Sequence, residues 1–268
     1  MSGIERDEAD QIKESAKLEA KTVYMIISKE GEDELKRPFT SLWWSGLAAG
    51  VAISSSLWAK GMLLELMPET EWETLLVSFG YCVGFIIVIL GRLQLFTENT
   101  ITPILPLFAN FSYQKLWATA SLWGIVLCAN LTGTFLSAAA ADLLGIATPE
   151  QLAAVQEISK HFVLDNAARD IFLQGIPAGF YVAALVWILP SAKGFELSVI
   201  VVLTYLIAIG GFSHVIVGST EVFLVMLDGK IGLIDAFGGV LLPALLGNII
   251  GGTGLFSMLA YVQVKNEI

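Results

Sequence analysis

The chain has two histidines, and one of them, His214, sits within an apolar stretch. An imidazole inside a bilayer is costly unless it is hydrogen bonded or wet, and its ordinary pKa of about 6.5 lets modest changes in surroundings set its charge. His214 follows Gly210-Gly211-Phe212-Ser213, which interrupts the apolar run ending at Ile209, and it precedes Gly218-Ser219-Thr220-Glu221. A similar interruption lies upstream. After the apolar run from Leu75 to Leu90 come Gly91-Arg92-Leu93-Gln94-Leu95-Phe96-Thr97-Glu98-Asn99, then Thr102-Pro103 and Pro106, which break any continuous helix. Unwound backbone is tolerated in a membrane only when buried or lining a wet cavity, so both breaks are candidate solute sites. Glu98 and Glu221 each directly follow a Thr, and ionised in a pathway they repel anions. Glu98 is placed either to pair with Arg92 and hold the loop or to face the pathway. Glu221, seven residues after His214, shares its helical face and is placed to share a proton with it.

Other chemistry is poorly supported. The sequence shows no HExxH, no paired aspartates, no phosphate-cradling glycine loop and no nucleophile spaced from a base, so no enzyme is expected. One membrane histidine is too little for a metal site, and neither metal nor cofactor is expected. A net charge of −10 argues against nucleic acid as a partner. Cys82 and Cys128 lie in apolar runs and read as unpaired small hydrophobes.

The elements that must position these residues are membrane helices. The 268 residues are 55% hydrophobic and 15% charged, with mean hydropathy +0.72, well outside soluble composition. Runs long enough to span the hydrocarbon core occur near 42–66, 73–95, 115–141, 168–190, 195–227 and 232–262. An even number of spans puts both termini on one side, and the first 41 residues hold 7 of the 15 Lys/Arg, which favours the cytoplasm for that side. The reading is thus a cytoplasmic segment 1–41, a six-span domain 42–262 and a short cytoplasmic tail 263–268, with no cleaved signal peptide expected. Ile12, Ala16, Ala20, Val23 and Ile27 follow helical spacing and predict an amphipathic helix on the membrane surface or against the bundle. Thr148-Pro149-Glu150-Gln151 predicts the start of a short extracytoplasmic helix, with His161 as an exposed loop residue.

The spans repeat. Gly46-Leu47-Ala48-Ala49-Gly50 matches Gly175-Ile176-Pro177-Ala178-Gly179, with Trp58 and Trp187 following, at an offset of 129. Asn130-Leu131-Thr132-Gly133 matches Asn248-Ile249-Ile250-Gly251 at an offset of 118. Two units, about 42–141 and 168–262, each with three spans, must enter from opposite faces, which gives an inverted repeat typical of channels and transporters. Gly91, Arg92, Gly211, Asn130 and Asn248 are assigned structural roles. The offset of 118 sets Phe96-Thr97 opposite His214-Val215, so Thr97 and His214 are expected to meet at mid-depth.

Leu95-Phe96-Thr97-Glu98-Asn99, Gly211-Phe212-Ser213-His214 and Gly247-Asn248-Ile249-Ile250-Gly251-Gly252 resemble the signature segments of the formate/nitrite transporter family, and the six-span length agrees from about residue 40 to 262. The resemblance implies an all-α, aquaporin-like protomer with helices two and five broken. It further implies a homopentamer in a bacterial or archaeal inner membrane, each subunit passing small monovalent anions such as formate, nitrite or hydrosulfide. It places Thr97 in the pore loop and His214 at the pore centre, with Leu95, Phe96 and Phe212 in apolar constrictions and Asn99 nearby. Gln94, Glu98, Ser213, Gly218 and Gly179 depart from the family pattern and mark a divergent branch. Carboxylates near the path leave open a second reading, a channel for a neutral or weakly basic solute such as water, ammonia or an undissociated acid.

Overall fold

The computed structural model describes residues 18–268, apart from the side chain of Asp142, and among the described residues it contains helices and no strand. Helix α1 (Ala20–Glu34) turns Val23, Tyr24 and Ile27 inward. These pack on Ile101, Leu105, Ala183, Val186 and Val264 in a small core of their own. The Tyr24 hydroxyl donates to the Leu105 carbonyl (2.8 Å), and the Lys21 ammonium donates to the carbonyl of Glu267. The amphipathic face therefore lies against the bundle. Ile12 and Ala16, assigned to the same face, fall outside the described residues.

Five helices are long and apolar enough to cross a membrane: α2 (Phe39–Leu66), α3 (Glu73–Leu90), α5 over Tyr113–Ala141, α7 over Ala168–Ser191, and α10 (Asp235–Val264). Between them run the short α4 (Ile104–Ala109), α6 (Pro149–Leu164), α8 (Glu196–Ile209) and α9 (Val215–Leu227). The run expected as one span over 195–227 is thus two shorter apolar helices, α8 and α9, separated at Gly210–His214. The run expected over 73–95 ends as helix at Leu90. Large side chains such as Trp44, Phe79, Trp117, Val202 and Leu259 point outward, as a surface bathed in hydrocarbon requires.

Helix α6 begins as the sequence predicts. Thr148 accepts from the Gln151 N–H (3.2 Å) while Gln151 accepts from the Thr148 N–H (3.3 Å). His161 is exposed but belongs to the last turn of this helix, not to a loop, because the apolar face through Val155 and Val163 extends the helix past it to pair His161 with Asp165 (2.8 Å). Cys82 and Cys128 are both unpaired.

Two helix pairs dominate the bundle, α2 on α5 and α7 on α10, and both close through small residues. A Cβ on Gly50 would stand 2.2 Å from the Asn130 carbonyl oxygen, and one on Gly179 would stand 2.1 Å from that of Asn248. The matched glycine segments are therefore the places where paired backbones touch. Parts of α10, Asp235–Leu241 and Ile250–Ser257, are wound as π-helix.

Candidate solute pathway

Both breaks are built by the same backbone moves. After Leu90, Gly91 N–H donates to Ile87, and Leu93 N–H reaches back to Val88; after Ile209, Gly210 donates to Leu206, and Phe212 to Ile207. Between them Arg92 (φ 54) and Gly211 (φ 63) take the left-handed conformation, one that costs a side chain about 1–2 kcal/mol and glycine almost nothing.

One buried asparagine then clasps each break. Asn130 Nδ2 donates to the carbonyls of Gly46 (2.7 Å) and Gln94 (2.8 Å), and its Oδ1 accepts from Phe96 N–H (2.9 Å). Asn248 Nδ2 donates to Gly175 (2.9 Å) and Ser213 (2.8 Å), and its Oδ1 accepts from Val215 N–H (2.9 Å). Both amides are fully buried. Each satisfies backbone groups that the break deprives of helical partners.

These contacts correct one register. Gly91 and Gly210, Arg92 and Gly211, Gln94 and Ser213, Phe96 and Val215 all stand 119 residues apart. His214 is therefore matched by Leu95, not by Phe96, because the second half has one residue fewer between its break and its asparagine.

Thr97 and His214 nonetheless meet. Their Oγ1 and Nε2 atoms are 2.8 Å apart, with 0% and 2% exposure. His214 also caps α9, its Nδ1 accepting from the Val217 N–H (3.2 Å). A backbone N–H can only donate, so Nδ1 carries the lone pair, and the ring proton sits on Nε2, where it donates to Thr97. The Thr97 hydroxyl hydrogen has no acceptor among the described residues and is free to point at a solute.

A second correction concerns Glu98. Arg92 does not pair with it: its left-handed backbone carries the guanidinium outward to Glu30 (3.2 Å), where it is 80% exposed. Glu98 Oε1 is shielded from solvent and lacks a hydrogen-bond partner. Asn99 instead donates to Gln94 (3.2 Å) and accepts from Thr102 (3.2 Å), locking the loop internally.

Two chambers approach this layer. One, beside α6, has a volume of about 460 Å³ and reaches Phe212, His214 and Glu221. The other, beside α1, is about 650 Å³ and reaches Gln94, Glu98 and Asn99. Leu95, Phe96 and Thr97, at 0%, 1% and 0% exposure, line neither chamber and lie between them.

Several contributors escape sequence reasoning. Phe85 sets its ring edge-on to His214 (centroids 5.1 Å). Trp123 stacks edge-on with Phe96 and donates to the Asn99 carbonyl (2.8 Å). Gln174 accepts from Ser213 Oγ (3.0 Å). The Thr100 carbonyl accepts from Thr253 (2.6 Å) and Ser257 (3.3 Å) on α10, tying the first loop to the other half. In sequence the aromatics are indistinguishable from ordinary core; the Thr and Ser of α10 are the one visible hint.

The whole arrangement is that of a transport family. The family model for formate/nitrite transporters matches residues 21–262, and the chain belongs to that family. It is an integral membrane protein. It is 36% identical over 249 residues to the inner membrane protein YfdC of Escherichia coli (strain K12), covering 93% of this chain and 80% of that one. It is 29% identical over 251 residues to the uncharacterized transporter YrhG of Bacillus subtilis (strain 168), covering 86% of this chain and 89% of that one. Among solved structures, a pentameric formate channel with formate bound superposes with TM-score 0.71 at 19% identity, over 85% of this chain and 98% of that one. An ion channel of the same family gives 0.75 at 16%, over 91% and 98%.

Proposed function

We propose that the protein passes small monovalent anions of the formate, nitrite or hydrosulfide type across the membrane, with the anion stabilised or protonated at His214 and Thr97. The observation that carries this reading is the buried 2.8 Å contact between Thr97 Oγ1 and His214 Nε2, brought together from two separate helix breaks. An anion leaving water for an apolar layer loses many kcal/mol of hydration, and three groups offset it here. The Thr97 hydroxyl donates to it, the His214 ring polarises that hydroxyl, and the N-terminus of α9 contributes the positive end of its dipole. Leu95, Phe96 and Phe212 keep water from running continuously past the pair.

In the fuller architecture six spans form two inverted repeats of an aquaporin-like protomer, with α3 and α8–α9 as the broken helices. The matched asparagine clasps support this. The pentameric neighbour supports a homopentamer and the relative from Escherichia coli supports an inner membrane; both termini lie on its cytoplasmic side, as the seven Lys/Arg of the first 41 residues favour. Alternatively a neutral or weakly basic solute uses the same path, a reading favoured by Glu98 and Glu221 at the two chambers.

The test is flux into liposomes carrying an internal pH dye, comparing wild type and His214→Phe after adding formate, nitrite, hydrosulfide or acetate. Flux above empty liposomes that disappears in His214→Phe supports the anion reading. Absence of such flux for all four anions refutes it and leaves the neutral-solute reading.

A further inference from the structure

The carboxyls of Glu98 and Glu221 are a puzzle for any anion path, and their placement suggests a use. Glu221 is 6% exposed, two turns along α9 from His214 on the same face, and lines the chamber beside α6. No side chain among the described residues pairs with it. The same chamber is lined by Tyr81, whose buried hydroxyl likewise has no partner. Across the apolar layer Glu98 lines the chamber beside α1, with Oε1 shielded and unpartnered. A buried carboxyl kept for structure is ordinarily held by hydrogen bonds or a counter-ion; these two are not. Each opens instead to a cavity roomy enough for water.

We propose that Glu221 and Glu98 are proton-exchanging carboxyls, one in each chamber, so that a small anion crosses the Leu95–Phe96–Thr97 layer as its neutral acid. This rests on the anion reading above. In the chamber beside α6 the anion X⁻ takes the proton of Glu221: the carboxyl O–H bond breaks, X–H forms and a carboxylate remains. HX crosses with the Thr97 hydroxyl and His214 orienting it. In the chamber beside α1, HX returns its proton to the Glu98 carboxylate and leaves as X⁻. Bulk water reprotonates Glu221 and deprotonates Glu98. One anion and one proton move together, no net charge crosses, and the reverse cycle runs equally well.

Charged and titratable groups face each carboxyl from the neighbouring helices. Around Glu221 stand Lys60 from α2, Glu73 and Tyr81 from α3, and Glu157 and His161 from α6. Around Glu98 stand Glu30, Asp33 and Glu34 from α1, Arg92, Lys193 from the turn before α8, and Glu196 from the start of α8.

Full-length wild type, Glu221→Gln, Glu98→Gln and His214→Phe would be reconstituted with the internal dye and given formate or nitrite between about pH 5 and about pH 7, with empty-liposome leak subtracted. Bulk neutral acid falls about tenfold per pH unit. Wild-type initial rates should fall about threefold per unit or less, and each Gln variant should steepen toward tenfold. An imposed potassium diffusion potential should leave the wild-type rate unchanged. His214-dependent flux with the wild-type pH profile in either Gln variant overturns the role of that carboxyl, and a several-fold effect of potential overturns electroneutral cotransport; both leave the anion reading standing. No His214-dependent flux in wild type removes the anion reading and this inference with it.

Discussion

Replacing Asn248 tests how the central histidine is held. Its amide makes three hydrogen bonds at full burial, to Gly175, Ser213 and Val215. In Asn248→Ala the Gly175 carbonyl keeps its place in the α7 ladder, whereas the Ser213 carbonyl and Val215 N–H, at the break itself, are left without partners. A buried unsatisfied group costs about 1–3 kcal/mol, and hydrogen bonds between membrane helices contribute about 0.6–1.7. Two such groups give about 2–4 kcal/mol. For a chain of this size that is a fall of roughly 5–15 °C in melting temperature, readable by tryptophan fluorescence in detergent. Since Ser213 and Val215 flank His214, flux should fall further than stability alone implies. Asn248→Asp sharpens the case. Its ionised carboxylate still accepts from Val215 but faces two carbonyls it cannot donate to, so it should be at least as unstable as Ala at neutral pH and recover partly in acid, where a protonated carboxyl donates one bond. A melting temperature within about 1 °C of wild type for Asn248→Ala, with flux intact, would refute the clasp argument.

Other substitutions give signed outcomes. Arg92→Gly should raise stability by about 1 kcal/mol, because left-handed backbone suits glycine and the exposed pair with Glu30 contributes little; Gly211→Ala should lower it by about 1–2 kcal/mol, both read from the thermal midpoint. Gly179→Ala drives a Cβ toward the Asn248 carbonyl and should cost about 1–3 kcal/mol by prising α7 from α10, seen as loss of folded protein by size exclusion. Burial and the neighbouring Tyr261 push the Tyr24 hydroxyl up to about 12. The folded value lies above the unfolded one of about 10, so this stability is present below about pH 10 and lost as pH rises toward 12, on the order of 1–2 kcal/mol once solvent screening is allowed for. Tyr24→Phe should flatten that alkaline decline while losing about 1 kcal/mol with the Leu105 hydrogen bond.

The breaks and their glycines are readable in the sequence because glycine and proline set within an apolar run leave a helix no regular way to continue. The asparagines are readable because a polar amide at matching places in two apolar spans demands a job. The one-residue slip comes from anchoring the alignment on those asparagines; the left-handed pair Arg92 and Gly211 gives the register, and a positive φ at an arginine is not visible in sequence. Proximity along the chain pairs Glu98 with Arg92, yet that same backbone twist turns Arg92 toward α1. Phe85, Trp123 and Tyr81 stay hidden because an aromatic near a site and an aromatic in a core obey the same pattern.

The two asparagine clasps bear on how fast solute can move. Every bond they make is to the protein's own backbone, so the breaks keep their shape whether or not anything occupies them. A passing solute then meets walls already in place and spends none of its favourable contacts on ordering a loop. The clasped loops should therefore add no rearrangement of their own to the temperature dependence of flux, which then reflects passage of the Leu95–Phe96–Thr97 layer.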